Sequence, residues 1–155
     1  MIEIKRLTES DKHAVAQVQL APEQIPFAGT AAEFLADESE TLHRHIIKIA
    51  DDVVGFFKID TAYAEQFDFC PPKVLGLRAF VIGAAYQGKG LGTQAVQALQ
   101  TYLAQHYTNY NAIYLTVNCR NLGAKKCYLK GGFVDTGEQY LGGAAGAQHI
   151  MYQTF

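Results

Sequence analysis

The chain has 155 residues, enough for one sizeable hydrophobic core, and a single domain over residues 1–155 is expected. Its 49% hydrophobic and 18% charged composition excludes a disordered or fibrous polymer, and a formal charge of −2 supplies no basic field for a nucleic-acid partner. No apolar run approaches bilayer-spanning length, so no membrane partner is expected.

The opening residues Met1-Ile2-Glu3-Ile4-Lys5-Arg6 lack the layout of a signal peptide and alternate as a first strand. Three cysteines (Cys70, Cys119, Cys127) without a C-x-x-C pair suit a reducing, cytoplasmic setting. Thr8 to Asp11 predicts a helix start, with Ala14, Val15 and Val18 on one face and an end near Leu20. Ala21 to Gly29 reads as a loop broken by two prolines and a glycine, yet it carries Ile25 and Phe27, fit to pack a core or line a pocket. Thr30-Ala31-Ala32-Glu33 has capping-box spacing and predicts a short helix to about Glu38. The acids of that segment, Glu33, Asp37, Glu38 and Glu40, are either a solvated face or an acidic rim for a cationic substrate.

His45 to Ala50 and Val53 to Thr61 predict a hairpin around Asp51-Asp52. His43 and His45 share a face, but no further ligands stand at coherent spacing, so no metal is expected. Tyr63 to Phe69 reads as irregular, and Cys70-Pro71-Pro72 stops any element. Strand Val74 to Ile82 leads into a turn and a helix from Leu91 to about His106. Strand Ile113 to Val117, a helix from Asn121 to the Gly131-Gly132 stop, a strand from Phe133, a Gly/Ala loop over Gly142 to Gly146, and strand Gln148 to Phe155 complete a mixed α/β pattern.

The turn Val81-Ile82-Gly83-Ala84-Ala85-Tyr86-Gln87-Gly88-Lys89-Gly90-Leu91-Gly92-Thr93 stands between a strand and a helix start. Unpaired amides and the helix dipole make such a turn an anion cradle, and Gly88, Gly90 and Gly92 let a phosphate approach the backbone. Gly83 to Lys89 fits G-x-x-x-x-G-K, but Gly90 stands where a Ser or Thr would hold Mg²⁺. Gly88-Lys89-Gly90-Leu91-Gly92 imitates a dinucleotide turn, but no acid follows Val117 to hold a ribose. Gln87, Gly90 and Gly92 satisfy Q-x-x-G-x-G.

That last pattern, together with Asn121-Leu122-Gly123-Ala124-Lys125-Lys126-Cys127-Tyr128-Leu129-Lys130-Gly131-Gly132-Phe133, resembles the GNAT superfamily of acyl-CoA N-acetyltransferases over roughly Val74 to Phe133. The segment Leu20 to Gln24 with Phe27, and the arginine in Leu77-Arg78-Ala79-Phe80, resemble a bacterial subgroup linked to polyamine acetylation. The resemblance implies a mixed, mostly antiparallel sheet of six or seven strands with about four helices, splayed at its central strand pair. It implies acetyl-CoA as cosubstrate, held by Gln87, Gly88, Lys89, Gly90, Leu91, Gly92 and Thr93, by the strand around Phe80, Val81 and Ile82, and by Asn121. It makes Tyr128 the expected proton donor to the leaving thiolate.

The expected reaction is direct acetyl transfer in a ternary complex to a small primary amine, a polyamine being the first candidate, with Glu23, Phe27 and Glu33 as candidate substrate contacts. A backbone donor near Phe80 or Val81 aimed at the developing oxyanion is worth about 3 kcal/mol. Strand Val74 to Ile82 holds Arg78 and no acid, so the general base is open among Glu23, Glu33, Asp37, Glu65 and a water chain. Alternatives are a CoA-binding sensor without catalysis, and an N-acetyltransferase acting on a peptide or antibiotic amine. The apolar alternation of the last strand suggests addition to a second copy's sheet, and hence a homodimer.

Overall fold

A computed structural model describes all 155 residues, Met1 to Phe155. Strands β1 (Ile2–Arg6), β2 (Leu42–Ile49), β3 (Asp52–Asp60), β4 (Val74–Ile82), β5 (Ala112–Asn118), β6 (Val134–Tyr140) and β7 (Gln148–Thr154) form one seven-stranded sheet in the order β1-β2-β3-β4-β5-β7-β6. Every neighbouring pair is antiparallel except β4–β5. The helices are α1 (Lys12–Ala16), α2 (Ile25–Ala28), α3 (Ala31–Ala36), α4 (Tyr63–Gln66), α5 (Leu91–His106) and α6 (Leu122–Gly131). The mixed, mostly antiparallel sheet expected from the sequence is therefore present.

Two apolar clusters sandwich the sheet. The larger joins Val96, Leu99 and Leu103 of α5 and Tyr128 of α6 to Phe57, Leu75, Ile113 and Met151. The smaller joins Val15 of α1 and Phe34 of α3 to Ile46, Phe56 and Val81. Strict alternation would put Leu77 and Phe80 on opposite faces. A bulge in β4, where the register to β3 shifts between Phe56 and Lys58 and Ala79 takes φ +53°, inserts one residue. Leu77, Phe80 and Ile82 consequently face the larger cluster and Val81 the smaller. Positive φ at a non-glycine residue is costly, and here it re-aims one strand end.

The parallel pair is short. Strand β4 meets β5 only over Val74–Gly76 against Ala112–Tyr114, and beyond Gly76 the strands part. Tyr63 of α4 packs over Gly76, where a Cβ would lie 2.0 Å from the ring, so glycine is required at the last paired residue. This parting is the splay that the family resemblance implied. It opens a cleft at the heart of the sheet without a break in either strand.

Several expectations are corrected. The first helix ends at Ala16, four residues before Leu20, because Gln19 leaves the helix to accept the Ala84 N–H at 2.7 Å. The apolar loop holds a helical turn, α2, with Pro26 in its first turn and Gly29 at φ +78° after it. The irregular Tyr63 to Phe69 segment begins with helical turn α4. His45 is fully buried as a structural residue; its ring stacks on Phe57 at 5.0 Å and meets the Tyr102 hydroxyl at 2.8 Å. The last strand offers no free edge: β7 lies between β5 and β6, bonded on both sides, so the argument for strand addition at β7 falls away.

Candidate active site

The Gly-rich turn folds as an anion cradle. Gly88 and Gly90 take φ +78° and +75°, and Gly90 is the N-cap of α5. The amides of Gly88 through Thr93 meet no backbone acceptor; Gln94 is the first to reach back, donating to Gly90 O at 3.1 Å. Added Cβ atoms at Gly88 would meet nothing within 4 Å, so the loop's outer side is open. The Gln87 side chain turns inward instead, donating to Ile82 O at 3.1 Å, and Gln24 Nε2 reaches the same carbonyl at 3.4 Å. The glutamine of the motif thus pins the turn to the end of β4.

These groups line a cleft of about 610 Å³. Of the residues expected to hold a coenzyme, Phe80, Ile82, Gln87, Gly88, Gly90, Leu91, Gly92, Thr93 and Asn121 line it. Val81 does not, because its side chain is buried in the smaller cluster, and Lys89 projects from the loop as an exposed side chain outside the lining. Unpaired amides at a helix start, next to a long half-apolar groove, fit a pyrophosphate followed by an uncharged thiol arm. Asn121 caps α6, its Oδ1 accepting from Ala124 N–H at 3.3 Å.

A second cavity, of about 360 Å³, lies on the other side of the splay. Phe27, Ala28, Phe80, Asn121, Ala124 and Tyr128 line both cavities, so the two meet at one seam. Helix α6 delivers Tyr128 there because Gly131 lets α6 close on α5, a Cβ at Gly131 lying 2.3 Å from Val96. The Tyr128 ring is packed between Phe80 at 5.8 Å and Phe133 at 5.6 Å, while its hydroxyl bonds no protein group. Burial pushes its pKa well above the ordinary phenol value, with the neighbouring Cys127 acting in the same sense. Tyr128 therefore stays protonated at any working pH.

The candidate substrate contacts separate. Phe27 of α2 lies at the seam, under the Arg120 guanidinium at 5.8 Å. Glu23 lines the first cavity alone. Glu33 lines neither; its carboxylate accepts from the Thr30 hydroxyl at 3.2 Å, and that same hydroxyl caps α3 by accepting from the Glu33 N–H at 3.2 Å. Asp37 is paired with Lys58 at 2.7 Å, and Glu65 lines neither cavity. No carboxylate lines the second cavity, so none of the acids considered as general base faces it. The Cys127 thiol sits against Gly92, and burial raises its pKa, which makes it a poor nucleophile.

Residues without a signal in the sequence complete the walls. Arg120 and Asn118 both donate to Ala145 O, at 2.8 and 2.9 Å, tying the Gly/Ala loop over the second cavity. Gln148 and Tyr63 join from strands and helices distant in sequence. Arg120 directly precedes Asn121, which is the one hint that the sequence offered.

The acetyltransferase (GNAT) family model matches residues 4–133. A spermine/spermidine N(1)-acetyltransferase of Bacillus subtilis is 28% identical over 139 residues, 88% of this chain and 90% of that protein. An aminoglycoside acetyltransferase AAC(6')-Ib, solved in complex with coenzyme A, superposes with a TM-score of 0.80 at 22% identity, over 99% of this chain and 95% of that one. A spermidine N-acetyltransferase from Vibrio cholerae, solved with CoA and spermine, superposes at 0.71 with 17% identity, over 99% and 95%. The open amide cradle, the splay beside it and the matched span agree: the chain belongs to the acetyltransferase (GNAT) family, with acetyl-CoA as its cosubstrate.

Proposed function

We propose that this protein transfers the acetyl group of acetyl-CoA to the primary amine of a small molecule, in one step with both substrates bound. The observation that carries this reading is the seam, where a donor-shaped cleft and a second, separate cavity meet at Phe80 and Tyr128. A sensor that only bound the coenzyme has no use for the second cavity, nor for an unpartnered phenol between the two.

Acetyl-CoA supplies an activated acetyl thioester. The amides of Gly88 to Thr93 hold its pyrophosphate, and the parted end of β4, around Phe80, Val81 and Ile82, lies along its arm with Asn121 opposite. The bulge leaves Ala79 and Phe80 without a paired residue in β3, and a backbone N–H near Phe80 or Val81 is the donor that would stabilise the carbonyl oxygen as charge develops. The amine enters neutral from the second cavity, its nitrogen bonds the acetyl carbon, and the carbon–sulfur bond breaks. Tyr128 Oη gives its proton to the sulfur, and solvent takes the proton of the amine, since no carboxylate faces it.

The test is thiol release from acetyl-CoA with a panel of amines, together with mass spectrometry of the products. Spermidine leads the panel on the names of the relatives, followed by an aminoglycoside, a peptide N-terminus and short amino acids. Amine-dependent release of CoA with an N-acetyl product of matching mass is the expected result. Tight CoA binding without turnover of any amine would favour the sensor instead.

A further inference from the structure

The second cavity has an unexpected charge. Its lining includes one charged side chain, Arg78, and no Asp or Glu. The other polar side chains of the lining, Tyr63, Thr116, Asn118, Asn121 and Gln148, are all neutral. None of the acids that made a cationic acceptor attractive, Glu33, Asp37, Glu38 and Glu40, lines either cavity; the Glu33 carboxylate accepts from the Thr30 hydroxyl and Asp37 pairs with Lys58.

Arg78 is built in rather than draped over the surface. Its Nε donates to Asp60 at 2.7 Å and its Nη2 to Gln66 Oε1 at 3.0 Å, and the guanidinium lies over Tyr63 at 4.9 Å and Phe67 at 5.5 Å. Asp60 is almost fully buried behind it, while about a third of the Arg78 side chain is exposed. The carboxylate thus orients the guanidinium from behind, and Nη1 is left without a protein partner. A fixed planar fork with an unused nitrogen suits a carboxylate or phosphate. A second ammonium in the same walls would meet a cation in a partly desolvated space, which is unfavourable.

We propose that the acceptor is a primary amine carrying an anionic group, a carboxylate or phosphate, which pairs with Arg78 while the amine reaches the seam. This rests on the assignment of the second cavity to the acceptor. It makes Arg78 a specificity-determining residue, distinct from the groups that move protons.

Matched pairs of equal length test it: 6-aminohexanoate against 1,6-diaminohexane, and 5-aminopentanoate against 1,5-diaminopentane, with lysine, O-phosphoethanolamine and spermidine beside them. The expected kcat/KM is at least tenfold higher for the anionic member of each pair. In Arg78→Gln, KM for the anionic amine should rise tenfold or more with kcat within threefold, and the diamine should not lose. Arg78→Lys keeps a cation for Asp60 if the glutamine variant fails to fold, and it should show the same KM loss in smaller measure. CoA binding of each variant, measured by calorimetry, reports folding. Equal or better use of diamines, or an unchanged KM in the folded Arg78 variants, overturns the proposal while leaving acetyl transfer to amines intact. CoA binding without turnover of any amine overturns both.

Discussion

The rings of Phe80 and Tyr128 meet edge to face at 5.8 Å, one from the bulged end of β4 and the other from α6, and between them they mark where the two cavities join. The contact depends on the extra residue in β4, since only the bulge turns Phe80 to the face that α6 covers. Removing the Tyr128 hydroxyl leaves that ring contact and breaks no protein hydrogen bond. Tyr128→Phe should therefore lower kcat tenfold or more, with the CoA Kd within threefold of the parent and Tm within a few degrees. Steady-state kinetics and calorimetry check this; a fully active variant would remove Tyr128 from the reaction.

The pH profile follows from the same burial. A pKa raised above the phenol value keeps Tyr128 protonated, so the acid is present throughout the neutral and mildly alkaline range. The limiting form is the neutral amine. With no carboxylate in the second cavity to serve as base, kcat/KM should climb close to tenfold per pH unit from 6 to about 9, since free alkylamines titrate at roughly 10. A plateau at neutral pH would instead indicate a base with a pKa near 7.

Two glycines separate the cradle from the scaffold. Gly90→Ala forces a side chain into the left-handed region, which costs about 1–2 kcal/mol, and it tilts the amides that α5 presents. CoA affinity should fall by about tenfold, with a smaller loss of stability than Gly131→Ala produces. At Gly131 the new Cβ would strike Val96, 2.3 Å away in the α5–α6 contact, and overpacking of this kind costs about 1–3 kcal/mol. That variant should lose stability in urea titrations, and its folded fraction should bind CoA with close to parental affinity.

His45 links the sheet to α5 and makes stability depend on acid. Burial holds its pKa down at about 3, against 6.5 for the free side chain, with the charge on Arg6 adding to the effect. Between those values the unfolded chain binds a proton that the folded one refuses. The neutral histidine's contribution is therefore complete above pH 6.5, and falls by about 1.4 kcal/mol for each unit below it. His45→Phe keeps the stack on Phe57 and removes the proton site. Its urea-unfolding free energy should vary less steeply from pH 6.5 to 4.5, by about one proton's worth, despite a lower starting value from the lost bond to Tyr102.

The order of the main elements, the cradle and the coenzyme class were legible in the sequence, because each is carried by local chemistry. Alternation marks a strand, a Gly-x-Gly turn before an apolar periodicity marks an anion-binding helix start, and an asparagine before α6 marks a cap. Capping was legible in part: Thr30 caps α3 through the Glu33 N–H as the spacing predicted, while the Glu33 carboxylate accepts from the Thr30 hydroxyl rather than its N–H and lines neither cavity.

What only the tertiary structure decided depends on partners far apart in the chain. The bulge at Ala79 exists because β3 and β4 must pair on both sides of it, and no residue type there announces a positive φ. The C-terminal strand is paired on both sides because β6 folds back along it, which alternation alone does not reveal. Arg78, read in the sequence as the place where an acid was missing, became a held cation only when Asp60, Tyr63 and Gln66 closed around it. Local sequence determined where the turn leaves its amides unpaired, since glycines and a helix start suffice for that. The charge of the second cavity was decided by folding, since its lining comes from six separate segments and its one charged side chain, Arg78, is held by Asp60 behind it.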